Sequence, residues 1–288
     1  MQVIKKIGER FWYQTPVSET DRPILGMVVG DKQSLMIDAG NSEAHANYFL
    51  EELKNREVPK PTLLALTHWH WDHIFGLSAL DVVSISSKET KQEMEKLVHL
   101  DWSDRALDER VKEGTEIEFC AAAIKKEFAN HRDVTISLPD MTFKGQMEIH
   151  LGGVTCLLQQ VGGDHASDST VIYIKEEKIL FLGDCFYPDI FSPKTNYTVS
   201  TTLTLLDKLE AFDAEWYILS HGTAISKEEF MKEVALLRTM ASLTKQCNGD
   251  CSCMKEVYSN QMERDLNEDE TELIQEFVNG MEIENEVK

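Results

Sequence analysis

Three histidines and one aspartate lie within the six-residue segment HWHWDH, which begins at His68. His68 and His70 directly follow a predicted strand and are two positions apart, so in extended backbone their imidazoles point to the same side and can face one metal ion. Asp72 and His73 are adjacent and project in other directions, which allows them to serve a second ion. Asp72 also suits the N-cap of a short helix predicted over residues 73–80. Nitrogen and oxygen ligands without thiolate suit zinc, iron or manganese.

The chain on both sides of this segment shows the patterns of a β-rich protein. Residues 62–67 form an apolar run without alternation, which predicts a strand covered on both faces. Residues 24–29 and Ser34–Ile37 flank a Gly-Asp-Lys turn and predict a hairpin. Residues 170–175 and 178–182 predict a second hairpin. The histidine segment is therefore expected to follow a buried strand of a sheet.

Two further regions are prone to form helices. Residues from about 88 to 128 are charged and have few β-branched clusters, which predicts a helical insertion. Ser226 and Glu229 form a capping-box pattern at the start of an amphipathic stretch. Residues 226–288 are therefore expected to form a C-terminal helical extension with an acidic tail, and a homodimer formed through these helices is left open.

The composition is that of an ordinary globular protein. The chain has 288 residues, of which 42% are hydrophobic and 27% charged, which excludes a wholly disordered chain, a collagen and a long coiled coil. Lys and Arg number 29 against 50 Asp and Glu, so the formal net charge is −21. A field of this sign repels phosphate backbones and anionic lipid head groups. A nucleic-acid partner is therefore disfavoured, although a local basic groove is left open, and no membrane partner is expected.

The sequence also bears on the compartment and on the cysteines. No stretch approaches the roughly 20 apolar residues needed to span a bilayer, and the first 14 residues lack the pattern of a signal peptide. We therefore expect a cytoplasmic protein whose six cysteines are thiols.

Three cysteines near the C-terminus, Cys247, Cys251 and Cys253, form a cluster in the sequence. No histidine or fourth cysteine lies nearby, so a loop with free thiols is favoured over a second metal site.

The HWHWDH segment resembles the HxHxDH signature of the metallo-β-lactamase-fold hydrolases. Further segments resemble elements of that family in the expected order: a hydrophobic strand followed by D-x-G at 35–40, the third-histidine segment at 163–169, a strand followed by G-D at 181–184, and S-H-G at 220–222. The resemblance covers residues from about 3 to 225. It implies an α/β fold, a four-layer αββα sandwich of two mixed β-sheets flanked by helices, with residues 1–225 as the catalytic domain.

Carried over position by position, the resemblance implies two ions with a shared ligand. One ion would be held by His68, His70 and His165, the other by Asp72, His73 and His221, and Asp184 would bridge the two. Two divalent ions are expected, with zinc favoured and iron or manganese as alternatives. The sequence departs from the family at residues 166–168 and in the length of the insertion, so the substrate is left open.

Such a centre predicts a hydrolase. Two ions about 3.5–4 Å apart can share a water and lower its pKa towards 7, so that hydroxide can attack a carbonyl or phosphoryl centre. The expected substrate is a small or medium-sized thioester, lactone, ester or amide. Asp72 is expected to orient the nucleophile and carry a proton. Tyr187 lies three residues after Asp184, where some relatives use a tyrosine to contact the substrate carbonyl; a core tyrosine is the alternative.

Two other activities of the same fold are weighed against hydrolysis. Relatives with a di-iron redox centre tend to carry glutamate where this chain has His70, and they append a flavin domain, which argues against a metal-dependent oxidoreductase. Relatives that process RNA often carry basic substrate-binding insertions. The net charge of −21 argues against an RNA-processing nuclease.

Overall fold

A computed structural model describes residues 2–129 and 132–286, and within these ranges the strands form two sheets. The first sheet runs in chain order through β1 Ile4–Ile7, β2 Phe11–Gln14, β3 Leu25–Val29, β4 Ser34–Ile37, β5 Leu63–Ala65, β6 Val83–Ser87 and β7 Met141–Phe143. The second runs through β8 Gln146–His150, β9 Thr155–Gln160, β10 Thr170–Ile174, β11 Ile179–Gly183, β12 Trp216–Leu219 and β13 Ala224–Ser226. Strands β4 to β7 pair in parallel, as do β11 and β12, whereas the other pairs are antiparallel, so both sheets are mixed.

Helices cover the outer faces of both sheets. They are α1 Glu43–Lys54, α2 Trp71–Ile74, α3 Lys88–Leu97, α4 Asp104–Glu113, α5 Glu118–Glu127, α6 Val199–Glu210, α7 Lys227–Gln246, α8 Cys251–Met262 and α9 Glu268–Glu286. In the described part of the chain, no helix is both long and apolar enough to cross a membrane.

Three clusters of buried apolar side chains separate four layers. The central cluster lies between the sheets and includes Leu35 of β4 and Phe181 of β11. Helices α1 to α5 pack on the outer face of the first sheet around residues such as Phe49. Helices α6 to α9 pack on the outer face of the second sheet around residues such as Phe230 and Phe277. The predicted αββα sandwich of two mixed sheets is therefore confirmed.

The local patterns of the sequence explain the central strands. Strand β5 pairs in parallel with β4 and β6, with Leu64 facing the helices and Ala65 facing the other sheet. A strand covered on both faces has no polar side to alternate with, as the apolar run predicted. The two predicted hairpins are present as the antiparallel pairs β3–β4 and β10–β11.

The predicted helical insertion is present as α3, α4 and α5. The hydroxyl of Ser87 accepts a hydrogen bond from the Thr90 N–H and caps α3. Helix α5 is attached to the first sheet's loops by Glu127, which lies 2.6 Å from the guanidinium of Arg22. The inserted helices therefore pack on the domain and do not project from it.

The C-terminal helices begin at the predicted capping box. The Ser226 hydroxyl accepts from the Glu229 N–H, while the Glu229 carboxylate accepts from the Ser226 N–H. Helices α7, α8 and α9 share one apolar cluster with α6 and the second sheet. The division of the chain at residue 226 stays a prediction. Helices α6 and α8 and the short strands β7 and β13 were not predicted.

The prediction that all six cysteines are thiols is wrong for two of them. Cys247 and Cys253 form a disulfide, with their Cα atoms 5.8 Å apart, whereas Cys251 and the three cysteines of the main domain are free. The reason is the turn between α7 and α8, where Asn248 and Gly249 both adopt positive φ and reverse the chain. This reversal brings Cys247, at the end of α7, next to Cys253 in the first turn of α8. A tight turn between two helices therefore takes the place of the predicted loop with free thiols.

Candidate metal centre

The predicted ligands lie at one edge of the sandwich. Asp184 directly follows β11, His221 follows β12, and the HWHWDH segment follows β5, so all three come from the carboxyl ends of parallel strands. His165 lies in the β9–β10 connection, which reaches the same edge because β10 is antiparallel to β11. A Cβ atom at Gly183 would lie 2.9 Å from the Thr67 side chain, so a glycine is needed where β11 approaches the histidine segment.

Three of the seven side chains form a first ligand group, which consists of His68, His70 and His165. All three are buried, and the His70 Nδ1 and His165 Nε2 atoms lie 3.0 Å apart. The extended backbone at His70 places its ring beside that of His68, with ring centroids 4.5 Å apart, as the i, i+2 spacing suggested. The arrangement presents three imidazole nitrogens to one point.

The other four form a second ligand group, which consists of Asp72, His73, Asp184 and His221. The His73 Nε2 atom lies 3.0 Å from Asp72 Oδ2 and 3.3 Å from Asp184 Oδ2. The His221 Nε2 atom lies 3.2 Å and 3.3 Å from the same two oxygens. Two imidazole nitrogens and two carboxylate oxygens therefore alternate around one point.

Asp184 lies between the two groups. Its Oδ2 atom is 3.5 Å from His165 Nε2 and 3.9 Å from His68 Nε2, in addition to its contacts in the second ligand group. The Asp184 carboxylate is therefore placed where it could contact an ion in each of the two ligand groups. That these seven side chains bind ions stays a prediction.

The unpaired atoms of the centre fit divalent cations. The buried His68 Nε2 and Asp184 Oδ1 atoms have no hydrogen-bond partner among the described residues. Burying such atoms without a partner costs free energy, which a bound cation would offset. Imidazole nitrogen and carboxylate oxygen are ligands that zinc, iron and manganese accept. The residues present therefore fit one ion in each group.

The protonation of the two groups differs. Burial lowers the pKa of His68 and of His70 well below 6.5, and neighbouring imidazoles lower it further, so both rings are neutral and offer lone pairs. Burial also opposes the charged form of His73 and His221, but the carboxylates of Asp72 and Asp184 outweigh it and raise the pKa of both imidazoles well above 6.5. In the second ligand group, protons therefore occupy the nitrogens that an ion would need.

Hydrogen bonds on the far side of the rings orient the ligands. The His73 Nδ1 atom donates to Asp38 Oδ2 at 2.8 Å, and the His165 Nδ1 atom donates to the Pro188 carbonyl at 3.1 Å. The Asp21 Oδ1 atom lies 3.3 Å from His221 Nδ1. A partner of this kind fixes the tautomer and leaves the opposite nitrogen for a metal.

Neither of these two aspartates was predicted as a site residue. Asp38 belongs to the D-x-G segment, so the sequence held a signal for it. Asp21 has no motif around it: it follows a 3-10 helix at Ser18–Thr20 in a left-handed conformation, with φ of 53°. Burial, together with the nearby Asp72, raises the pKa of Asp21 to about 7.

Asp72 does not cap the helix that follows it, contrary to our prediction. Helix α2 begins at Trp71 with His70 in the N-cap position, so Asp72 lies within the first turn. Its carboxylate faces His73 and His221 and not the backbone N–H groups. The same oxygen atoms cannot face these imidazoles and cap the helix at once, and in the structure they face the imidazoles.

Tyr187 lines the cleft beside the centre. Its hydroxyl oxygen accepts a hydrogen bond from the His221 backbone N–H at 3.3 Å. Burial, with a further contribution from Asp184, raises the pKa of the phenol, so it keeps its proton. A neutral hydroxyl whose oxygen already accepts one bond can donate its proton into the cleft.

The centre forms the floor of a cleft of about 320 Å³. One wall comes from the first turn of α5, with Phe119, and from Pro16 after β2, and the other comes from the loop after β11, with Ile190 and Phe191. The Phe191 ring lies against His70, with centroids 4.5 Å apart. Among the described residues that line the cleft there is no lysine or arginine.

Known proteins resemble this chain in sequence and in fold. A curated relative, an acyl-coenzyme A thioesterase named MBLAC2 from Gallus gallus, is 26% identical over 187 residues. That match covers 62% of this chain and 62% of the relative, so the chain spans less than two thirds of the relative's length.

Solved structures share the fold at low identity. A metallo-beta-lactamase from Pontibacter korlensis superposes with a TM-score of 0.58 at 20% identity, covering 83% of this chain and 99% of that one. A double mutant of the sec-alkyl sulfatase PisA1 superposes with a TM-score of 0.63 at 13% identity, covering 84% of this chain and 42% of that one. The DIM-1 metallo-beta-lactamase superposes with a TM-score of 0.54 at 17% identity, covering 83% of this chain and 97% of that one.

The family model for the Metallo-beta-lactamase superfamily matches residues 23–221, which is more than half of the chain. The matched span begins before β3 and ends at His221, so it contains every side chain of both ligand groups. The chain belongs to the metallo-beta-lactamase superfamily.

Proposed function

We propose that this protein is a hydrolase that uses two divalent ions, with zinc as the favoured metal, to cleave an acyl thioester. The observation that carries the proposal is that the two ligand groups meet at Asp184 on the floor of one cleft. Membership of the superfamily and the name of the thioesterase relative support it. The relative's activity is a guide to the substrate class and does not identify the substrate.

The first ligand group would hold one ion and the second ligand group the other, with Asp184 contacting both. When bound, such ions lower the pKa of water and polarise a carbonyl group. The walls above the floor are mainly apolar, with Pro16, Phe119, Ile190 and Phe191, and an apolar lining lowers the local dielectric and strengthens electrostatic interactions.

The side chains around the ions have separate tasks. Asp72 accepts a proton from the attacking water and orients it. The Tyr187 hydroxyl donates a hydrogen bond to the acyl oxygen as negative charge develops on it. Water adds to the acyl carbon, the carbon–sulfur bond breaks, and the departing sulfur receives a proton, so the products are a carboxylic acid and a thiol.

The described cleft lining has no cationic side chain that could follow a polyanionic substrate away from the metal centre. Asp21, Asp72 and Asp184 line the cleft, and no lysine or arginine among the described lining residues would bind a phosphate. A phosphodiester backbone needs such cations, which disfavours the nuclease alternative. A thioester carbonyl is uncharged and needs no counter-ion.

Substrate assays on metal-free and reloaded protein test the proposal. The protein is stripped with a chelator, reloaded with Zn²⁺, Fe²⁺ or Mn²⁺, and assayed on thioesters, lactones, β-lactams and phosphodiesters. We expect no turnover without metal and the highest kcat/KM on a thioester. Turnover that survives chelation, or a preference for phosphodiesters, would contradict the proposal.

Replacement of the tyrosine tests its role in the same assay. Tyr187→Phe removes the donor but keeps the ring, so we expect kcat to fall about 100-fold with little change in KM. Unchanged kinetics would remove Tyr187 from the mechanism and leave it a packing residue.

A further inference from the structure

The two apolar walls of the cleft come from different parts of the chain. Helix α5 of the insertion supplies Phe119 and Cys120, which face Ile190 and Phe191 of the loop after β11. Both walls end at the metal centre, since Phe191 contacts His70. The insertion is therefore part of the binding site and not only an addition to the outer helical layer.

Phe119 is unusual because it is a large apolar side chain left open at the mouth of the cleft. Its exposed fraction is 53%, and the other exposed large apolar side chains of the described chain do not line the cleft. Exposure of an aromatic ring has a free-energy cost that burial against a ligand would remove. Among these exposed side chains, Phe119 is therefore the one whose ring is open to a ligand in the cleft.

Both walls are held in place by polar contacts behind them. On the α5 side, Glu127 pairs with Arg22 and accepts a hydrogen bond from the Ser42 hydroxyl. On the other side, the Asp189 carboxylate accepts from the Phe191 N–H at 2.8 Å. The gap between the walls is therefore a formed groove, and a ligand need not order it.

The described walls of the groove are mainly apolar and include no lysine or arginine. Burial raises the pKa of the Cys120 thiol, so it stays protonated and behaves as a small apolar group. No lysine or arginine among the described lining residues would pair with a carboxylate or phosphate on the part of the substrate that enters. An uncharged hydrocarbon chain is the group that fits.

We propose that the groove binds the unbranched acyl chain of the substrate, and that Phe119 is a specificity-determining residue that favours medium over short chains. This inference rests on the proposed thioesterase function. An acyl chain that starts at the metal centre on the floor must extend beyond its first carbons to reach Phe119 at the mouth of the cleft. The thiol part of the substrate then lies outside the groove.

A chain-length series tests the inference. Acetyl, butyryl, hexanoyl and octanoyl thioesters of N-acetylcysteamine share one uncharged thiol, so only the acyl chain varies. Full burial of a methylene is worth about fourfold in kcat/KM. Because the groove is open on one side, we expect an overall rise of about 100-fold from acetyl to octanoyl.

Phe119 variants distinguish the contribution of the groove wall to chain-length preference from the contribution of the metal centre to the reaction. Phe119→Ala is expected to lower kcat/KM for the octanoyl thioester about tenfold and to change that for the acetyl thioester less than about twofold. Phe119→Leu keeps an apolar side chain and should retain most of the preference. Met262→Ala removes an apolar side chain of similar exposure outside the cleft and should change neither value.

Binding measurements keep the inference distinct from the proposed function. Acetohydroxamic and octanohydroxamic acid present the same metal-binding group with different chains, and calorimetry on zinc-loaded protein compares them. Tighter binding of the longer compound that is lost in Phe119→Ala would support the acyl groove even if no thioester is hydrolysed, in which case only the proposed function fails. Equal binding of both compounds, or turnover independent of chain length, would overturn the inference.

Discussion

The two ligand groups share Asp184 as a neighbour but differ in chemistry. The first ligand group has three imidazoles and no carboxylate, whereas the second ligand group combines two imidazoles with Asp72 and Asp184. Burial keeps His68 and His70 neutral, and the carboxylates keep His73 and His221 protonated when no ion is bound.

The group with more negative charge is therefore not the group whose nitrogens are ready to bind an ion. His68 and His70 of the first ligand group are neutral, so they can bind an ion without losing a proton to the solvent. The second ligand group attracts a cation more strongly, but the ion must displace protons from its imidazoles. The two ions are therefore expected to respond differently to mutation and to pH.

The largest expected effect follows removal of the carboxylate that touches both groups. Asp184→Asn keeps the shape of the side chain and removes its charge, so we expect the metal content to fall from two ions to one or fewer per chain. We expect kcat/KM to fall by at least about 10³-fold. Asp207→Asn, which changes an exposed aspartate outside both ligand groups and the cleft lining, is the matched control. Two retained ions with normal turnover would show that the groups do not depend on Asp184.

Single histidine variants sharpen the comparison. His70→Ala should release the ion of the first ligand group and His221→Ala the ion of the second, each lowering kcat/KM by about 10²- to 10³-fold. Elemental analysis should find one ion per chain in each variant. His70→Ala should keep the ion of the second ligand group, whose affinity depends steeply on pH. His221→Ala should keep the ion of the first ligand group, whose affinity depends only weakly on pH. The same pH profile in both would contradict the distinction.

Acidification of the native protein should release one ion before the other. The pKa values of His73 and His221 are raised in the metal-free protein, so protons compete for these nitrogens at neutral pH and the affinity for an ion rises with pH. With up to two protons displaced, affinity in the second ligand group should fall about 10- to 100-fold per pH unit. Dialysis between pH 8 and 6 against a weak chelator, followed by metal analysis, measures this. Parallel loss of both ions would count against it.

The smallest expected effect concerns Asp21, which contacts only one ligand. Asp21→Asn weakens the orientation of His221, so we expect about tenfold lower affinity in the second ligand group and little change in the first. At saturating metal, kcat should stay within about threefold. Glu19→Gln, which changes an exposed carboxylate of the same loop paired with Lys126, is the control. Equal affinity in Asp21→Asn and native protein would assign Asp21 no positioning role.

Much of the fold followed from local patterns. The apolar run at β5, the two hairpin turns and the capping box at Ser226 are each decided by a few neighbouring residues, and all are present. Helix α8 and the Cys247–Cys253 disulfide depend on how the chain reverses and packs after α7, so their residues gave no local signal.

The HWHWDH part of the centre could be anticipated from spacing and from its position after a strand, whereas His165, Asp184 and His221 were expected from the resemblance to the family. The seven side chains lie together as two groups divided as expected, although ion binding itself stays a prediction. Asp21 and Phe119 could not be found in this way. Asp21 reaches His221 across the sandwich from a left-handed turn, and Phe119 reaches the cleft only because α5 packs beside that turn.

Anomalous diffraction from crystals grown with a divalent metal tests the central claim most directly. We predict two anomalous peaks, one within about 2.0–2.3 Å of nitrogens of the first ligand group and one at similar distances from atoms of the second. Asp184 should lie in contact with both. Crystals in which these seven side chains surround no peak, or in which the metal lies elsewhere on the chain, would contradict the account.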